Sequence, residues 1–209
     1  MTTTPITVLL VEDHFLARMA LRSVLGGRAG ISLVGEAENG EQAISLYQER
    51  KPDVTIMDLC LPGMNGFDAI AVIRKQHRTA KIVVLTNYEG SEDVYRALRN
   101  GAMGYLTKDA SGKELVDAIE TVHQGVRYLP RAARDRLAER IPCLELTPRE
   151  HQVLERISRG ESNREIATNL QIAEKTVRIH VSGMLEKLGA RDRTQAAIYA
   201  IQRGIVHLD

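Results

Sequence analysis

The chain has 209 residues, of which 44% are hydrophobic and 26% charged, close to the globular averages of about 45–50% and about 25%. That balance excludes a disordered, collagenous or fibrous chain, and the length suits two ordinary domains better than one. With 28 Lys+Arg against 27 Asp+Glu the formal net charge is only +1, so any preference for nucleic acid has to be local.

The first half alternates two kinds of pattern. Short apolar runs at Ile6–Val11, Ser32–Gly35, Val54–Met57, Lys81–Leu85 and Gly104–Leu106 read as strands. Between and after them, amphipathic stretches at Leu16–Leu25, Gly40–Glu49, Gly66–Gln76, Glu92–Asn100 and Gly112–Gln124 read as helices. This alternation predicts an α/β, doubly wound domain with five parallel strands. ITVLLV and KIVVL are apolar on both alternating faces, as burial between two helical layers requires. From Tyr128 the pattern changes: Arg131, Arg134, Arg136 and Arg140 fall among alanines until Pro142 breaks the run, which reads as a charged linker with some helical tendency.

Beyond Thr147 no strand pattern survives. Thr147-Pro148-Arg149-Glu150 matches a capping box with proline at the first helical position, and Gly160 is placed to end that helix. Further helices are predicted near Arg164–Asn169, Glu174–Leu188 and Thr194–Arg203, making an all-α, four-helix region. Before Leu129 there are 14 basic and 16 acidic residues, and from it onward 14 and 11, so the cationic surplus falls on the helical part. Cys60 and Cys143 stand far apart and outside any CxxC pair, which leaves a disulfide framework or zinc ribbon without support. Met1 to Val11 lacks the basic start and cleavage site of a signal peptide, and no run reaches the ~20 apolar residues that span a bilayer. A cytoplasmic protein without a membrane partner is the expectation.

In a doubly wound sheet, ligands bind outside the carboxyl ends of the strands, where the strand order reverses. Glu12 and Asp13 end the first strand pattern, Asp58 the third, Thr86 the fourth and Lys108 the fifth. Singly, a strand-end Asp is more often a turn or helix cap. Together, three carboxylates repel one another unless a cation neutralises them, and their hard oxygens suit Mg²⁺. Such a carboxylate can accept a phosphoryl group while a metal and a lysine balance its charge.

In the helical part, Asn163 to Leu188 has a short helix, a break and a longer helix, the spacing of a helix-turn-helix. Ile166, Ala167, Leu170, Ile172, Val177, Val181, Leu185 and Leu188 form the expected buried seam, with Lys175, Arg178, Ile179, Ser182 and Lys187 outside it. A plain helical bundle with a solvated basic face fits that pattern as well. Ala196, Ala197, Ala200 and Ile201 give the last helix a small apolar stripe, suited to the domain's own core or to a partner helix.

The segments VLLVEDH, DVTIMDLCLPGMNG, VVLTN and GYLTKDA, in that order at strand ends, resemble the receiver domain of two-component response regulators over roughly residues 5–125. LTPRE, the core of Gly160, Asn163, Ile166 and Ala167, and TVRIHVSGMLEKLGARDR resemble the C-terminal DNA-binding domain of the LuxR type, from Leu146 to the end. Joined, they resemble the NarL/FixJ subfamily. The resemblance implies a flavodoxin-like receiver domain at 1–125, a linker at 126–145 and a four-helix helix-turn-helix domain at 146–209.

It also implies roles. Asp58 is the expected phosphoacceptor; Asp13, Asp58 and the backbone carbonyl of Cys60 are the expected Mg²⁺ ligands, with Glu12 acting through water. Lys108 is expected to contact the phosphoryl group, and Thr86 and Tyr105 to form the switch pair, Tyr105 swinging inward. Arg178, Ile179 and Ser182 take the positions that read base edges in the major groove, and Asn163, Lys175, Thr176, His180 and Lys187 those that meet phosphates. The implied partners are a sensor histidine kinase, double-stranded DNA with paired half-sites, and a second copy as a homodimer on DNA. The chain departs from the common pattern in its Glu12-Asp13 pair, in Asp109 after Lys108, and in Ser182 where many relatives have lysine. The rival readings are an enzyme turning over a free phosphorylated substrate, disfavoured because no second acid/base group such as a histidine stands close to the motifs, and a protein adaptor that does not bind DNA.

Overall fold

The computed structural model describes residues 4–138 and 146–208; Arg140, Pro142 and Cys143 lie outside the described residues. Two compact units divide between Asp135 and Arg136, with Gly90–Asp93 grouped with the second. The first runs β1 (Ile6–Val11), α1 (Phe15–Gly26), β2 (Ile31–Ala37), α2 (Gly40–Arg50), β3 (Val54–Met57), α3 (Gly66–Gln76), β4 (Ile82–Thr86), α4 (Ser91–Arg99), β5 (Gly104–Thr107) and α5 (Gly112–His123). All five strands are parallel in the order β2-β1-β3-β4-β5, the doubly wound arrangement that the alternation predicts. β2 is longer than its apolar run because its ladder with β1 continues through a register shift at Val8/Leu9 to pair Val11 with Ala37.

Helices cover both faces of the sheet, so β3 and β4 are buried at every position. Val8, Leu10, Val54, Ile56 and Val83 meet Leu25, Leu115 and Ile119 in one core cluster; each such side chain contributes about 1.5–3 kcal/mol by leaving water. Polar residues set where the helices begin. Asn39, Asn65 and Ser111 accept the backbone N–H of Gln42, Asp68 and Glu114, and the Ser111–Glu114 pair completes a capping box.

The segment expected to be a linker is structured at its start. The Tyr128 backbone N–H donates to the Met103 carbonyl at 2.9 Å, and its carbonyl accepts the Tyr105 N–H at 3.2 Å, extending the sheet edge beyond β5. A short helix, α6 (Arg131–Ala138), follows.

The second unit carries α7 (Pro148–Ser158), α8 (Asn163–Leu170), α9 (Glu174–Leu188) and α10 (Arg193–Gln202). Capping boxes at Thr147–Glu150 and Ser162–Glu165 start α7 and α8. The core holds Val153, Leu154, Ile157, Ile166, Val177, Met184 and Leu188. Met184 was not among the expected seam residues, and Val181 and Leu185 are only partly buried beside it. Ala196 and Ala200 are fully buried in this core, so of the expected stripe Ile201 stays exposed, together with Ile198 outside it. Three residues separate α8 from α9. Gln171 among them takes a left-handed φ of 53°, a conformation that usually selects glycine or asparagine. Among the described residues no helix is long and apolar enough to cross a membrane.

Candidate functional site

The order of the sheet reverses between β1 and β3, which opens a crevice at their carboxyl ends. Glu12 and Asp13 leave β1 there and Asp58 leaves β3, and ligand oxygens of all three carboxylates lie within 4.8 Å of one another. Glu12 and Asp58 are each 1% exposed; Asp13 faces solvent. Lys108, just past β5, places Nζ 2.7 Å from Glu12 Oε2 and 2.8 Å from Asp58 Oδ2. The other Asp58 oxygen, Oδ1, accepts the Cys60 backbone N–H at 3.2 Å.

Charge and burial pull against each other in this crevice. Burial pushes the Glu12 carboxyl above its ordinary range, the nearby Asp58 charge adds to that, and Lys108 offsets only part of it. Burial also opposes the charge on Lys108, but its bonds to Asp58 and Glu12 outweigh that and hold its pKa above that of a free lysine. One ammonium faces three carboxylates, so the cluster keeps a deficit of positive charge. Its hard oxygens fit a divalent cation.

Residues beyond the acidic cluster and Lys108 hold the site in place. Arg18 Nη1 receives no attention from local motifs, yet it donates to the backbone carbonyls of Glu12 at 2.7 Å and Asp13 at 3.2 Å, while Nη2 donates to Glu38 at 2.6 Å. Gly66 sits so close to β3 that a Cβ there would lie 2.0 Å from the Asp58 carbonyl oxygen. His14, exposed, follows the acidic pair directly, which corrects the expectation that no histidine stands near the motifs. Its backbone N–H donates to Glu12 Oε1 at 3.1 Å.

The Thr86 hydroxyl is fully buried and accepts the Tyr88 N–H at 3.3 Å. Tyr105 is 1% exposed, and its hydroxyl donates to the Tyr88 carbonyl at 2.8 Å. Tyr105 therefore already occupies an inward position here.

On the second unit, α9 divides into three faces. Val177, Met184 and Leu188 enter the core. Lys175, Arg178, Ile179 and Ser182 form an exposed stripe, with Ile179 at 62% exposure, and the acidic Glu186 continues it. Thr176, His180 and Lys187 lie between these two faces and are half-buried. Lys187 Nζ stands 2.6 Å from Glu150 Oε2, a carboxylate that also accepts the Thr147 N–H and hydroxyl at 2.7 and 2.9 Å. Gly183 makes room, since a Cβ there would lie 3.1 Å from Glu150. In this structure the charge of Lys187, expected to meet phosphate, ties α9 to the start of α7. Arg178 Nη2 is held 2.6 Å from Glu174 Oε1, and Asn163 Oδ1 accepts from Arg193 at 3.4 Å.

The family described as the response regulator receiver domain matches residues 8–120, and that of the bacterial regulatory proteins of the luxR family matches residues 144–200. Response regulator protein VraR of Staphylococcus saprophyticus is 38% identical over 207 residues, covering 97% of this chain and 99% of its own. VraR of Staphylococcus aureus is 39% identical over 206 residues, covering 96% and 99%. Among solved structures, the response regulator ChrA of a heme-sensing two-component system aligns with a TM-score of 0.59 at 33% identity, over 97% of this chain and 100% of that one. The RcsB response regulator in complex with DNA aligns with a TM-score of 0.68 over 94% and 98% of the chains, but at 24% identity, so that likeness concerns the fold.

Proposed function

From the premise that this chain belongs to the two-component response regulators of the NarL/FixJ type, which join a receiver domain to a LuxR-type helix-turn-helix domain, we propose that it regulates transcription in the cytoplasm through phosphorylation of Asp58 by a sensor histidine kinase. The observation that carries this reading is the convergence of Glu12, Asp13 and Asp58 at the reversal of the strand order, with the half-buried Lys108 bonded to Glu12 and Asp58.

In the proposed mechanism Asp58 supplies the attacking carboxylate oxygen. The Cys60 N–H and Lys108 orient the two oxygens of that carboxylate from opposite sides, and Lys108 then neutralises charge on the arriving phosphoryl group. Mg²⁺, held by Asp13, Asp58 and the Cys60 carbonyl with Glu12 through water, would supply further positive charge at the transferring group. Thr86 gives up its bond from Tyr88 as its hydroxyl turns toward the phosphoryl oxygens, and Tyr105 keeps the new arrangement buried. The chemistry is limited to gain and loss of one group on the protein's own side chain, without turnover of a free substrate. Residues 1–125 act as the receiver, 126–145 as the connection and 146–209 as the output. On duplex DNA, Arg178, Ile179 and Ser182 read base edges in the major groove, Lys175 and Asn163 meet phosphates, and two copies occupy paired half-sites.

The test is incorporation of label from a small acyl phosphodonor with Mg²⁺, followed by selection of bound duplexes with and without the donor. Label maps to Asp58, is absent from Asp58→Asn, and shifts DNA affinity. Undiminished labelling of Asp58→Asn at another residue overturns the assignment.

A further inference from the structure

We propose that Arg18 is a positioning residue for the divalent cation: it clamps the turn that carries Glu12 and Asp13, and so sets both the affinity of the crevice for Mg²⁺ and its preference for Mg²⁺ over Ca²⁺. The proposal rests on the acidic crevice being the metal site. Arg18 Nη1 donates to the Glu12 carbonyl at 2.7 Å and to the Asp13 carbonyl at 3.2 Å. From the same guanidinium, Nη2 donates to Glu38 Oε1 at 2.6 Å. The planar group therefore spans the turn between β1 and α1 and the segment that joins β2 to α2.

The two acids of the turn differ in what else holds them. Glu12 is 1% exposed; its N–H donates to the Ala37 carbonyl at 3.0 Å, and its Oε1 accepts the His14 N–H at 3.1 Å. Asp13 faces solvent, so packing does little to fix its carboxylate. Its place within 4.8 Å of the other two acids depends on its backbone, which the guanidinium bonds directly.

Geometry rather than net charge is the route by which Arg18 acts. Arg22 donates to Glu36 Oε1 from Nε at 2.8 Å and from Nη2 at 2.6 Å, and Arg18 Nε stands 3.6 Å from Glu36 Oε2. Two arginines thus balance Glu36 and Glu38, and little net charge is left to act on the crevice. Mg²⁺ demands near-ideal octahedral geometry, whereas Ca²⁺ accepts flexible coordination. A loosened turn accordingly costs Mg²⁺ more than Ca²⁺. Lysine would keep the charge of Arg18 but lacks the planar fork that reaches the turn and Glu38 together.

The test is calorimetric titration of the full chain, stripped of metal, with Mg²⁺ and separately with Ca²⁺, alongside urea midpoints in chelator. Arg18→Met, which keeps the apolar stem, is expected to weaken Mg²⁺ binding by about 10–100-fold, the span for groups that orient metal ligands. Its loss for Ca²⁺ is expected to be smaller, so the preference between the cations falls. Arg18→Lys is expected to recover part of that preference. Glu38 has a 60% exposed side chain, which keeps its variants folded. Glu38→Ala frees Nη2 and is expected to lower the preference in the same direction by less, while Glu38→Gln, whose amide oxygen still accepts the bond, matches wild type. Wild-type Mg²⁺ affinity in Arg18→Met, or an equal fold-loss for both cations, overturns the clamp alone. Should Arg18→Met fail to fold, an unchanged preference in Glu38→Ala overturns it instead. A wild-type chain that binds no Mg²⁺ overturns the metal reading and the clamp with it.

Discussion

Glu12, Asp58 and Thr86 are almost completely buried at the strand ends of the first unit, whereas Lys175, Arg178, Ile179 and Ser182 lie exposed along α9 of the second. In the first unit like charges share a crevice, and Lys108 offsets the charge of two of them, Glu12 and Asp58. A change in that crevice alters stability and chemistry together. In the second unit the core packs against another face of the same helix, so the exposed stripe can change without loss of the fold. Sequence specificity is therefore free to drift where phosphoryl chemistry is not.

The largest effect expected is at Lys108. Lys108→Met leaves two buried carboxylates without their cation and should lower stability by about 3–5 kcal/mol in chelator, with Mg²⁺ restoring part of the loss. Asp58→Asn should act in the opposite direction, raising the unfolding midpoint in chelator by relieving repulsion from Glu12 and reducing the gain from Mg²⁺. Urea titrations with chelator or Mg²⁺ check both signs. A Lys108→Met chain as stable as wild type in chelator would show that the carboxylates are better solvated than their burial implies.

Lys187 tests whether the two regions differ as sharply as their burial suggests. Burial pushes the Glu150 carboxyl up, but the bonds from Lys187 and Thr147 outweigh it and hold the pKa below the ordinary glutamate value of 4.5. A group lowered in the folded state contributes stability that is present above that value and lost as pH falls through the folded pKa. Lys187→Ala should remove about 1.5–3 kcal/mol from the second unit and weaken its acid sensitivity, while the salt dependence of DNA binding stays at the wild-type slope. A slope flattened by about one unit per protomer would return Lys187 to the phosphate contacts.

Arg178 makes the complementary case. Arg178→Ala should cost about 1–3 kcal/mol on the specific site and relax preference at one base pair per half-site. Fold stability should change by no more than the ~0–1 kcal/mol of an exposed pair with Glu174. Matched and single-base-substituted duplexes separate the outcomes: an equal loss on every sequence makes Arg178 a phosphate clamp.

The five strands, the capping box at Thr147–Glu150 and the acidic crevice were legible because they follow from local pattern and one topological rule. Apolar runs give strands, Thr147–Glu150 gives a helix start, and strand-end acids meet wherever the strand order reverses. The contacts of Arg18 and Lys187 were not, since each joins groups that only tertiary packing brings together. Lys187 did carry a signal. At about 100° per residue it falls on the side of α9 opposite Arg178, the side that meets Glu150. The turn at Gln171 gave no such warning, because a left-handed glutamine lacks the glycine or asparagine that marks one. There Arg149 crosses from α7 to donate to the Leu170 carbonyl at 2.7 Å.

The smallest effect expected lies at the junction of scaffold and reading face. Ala173 is the N-cap of α9, with extended backbone angles of φ −67° and ψ 143° and no side-chain bond to the first turn. Its carbonyl already accepts from Thr176 and Val177 at 2.9 and 3.2 Å, so the helix starts there without a capping oxygen. A serine hydroxyl at this position would accept one of the open N–H groups and should stabilise the second unit by about 0.5–2 kcal/mol. The gain should be concentrated in slower hydrogen exchange at the first-turn amides of α9, since a cap acts on donors within its own turn. Ala173 also directly precedes Glu174, which holds Arg178, so the comparison of the two regions makes a further demand. Ordering the first turn should leave base preference unchanged, because the exposed stripe is carried by the scaffold and does not hold it together. Hydrogen exchange and duplex selection on Ala173→Ser decide the matter: protection gained with altered base preference would show that the end of the helix, and not only its side chains, takes part in reading.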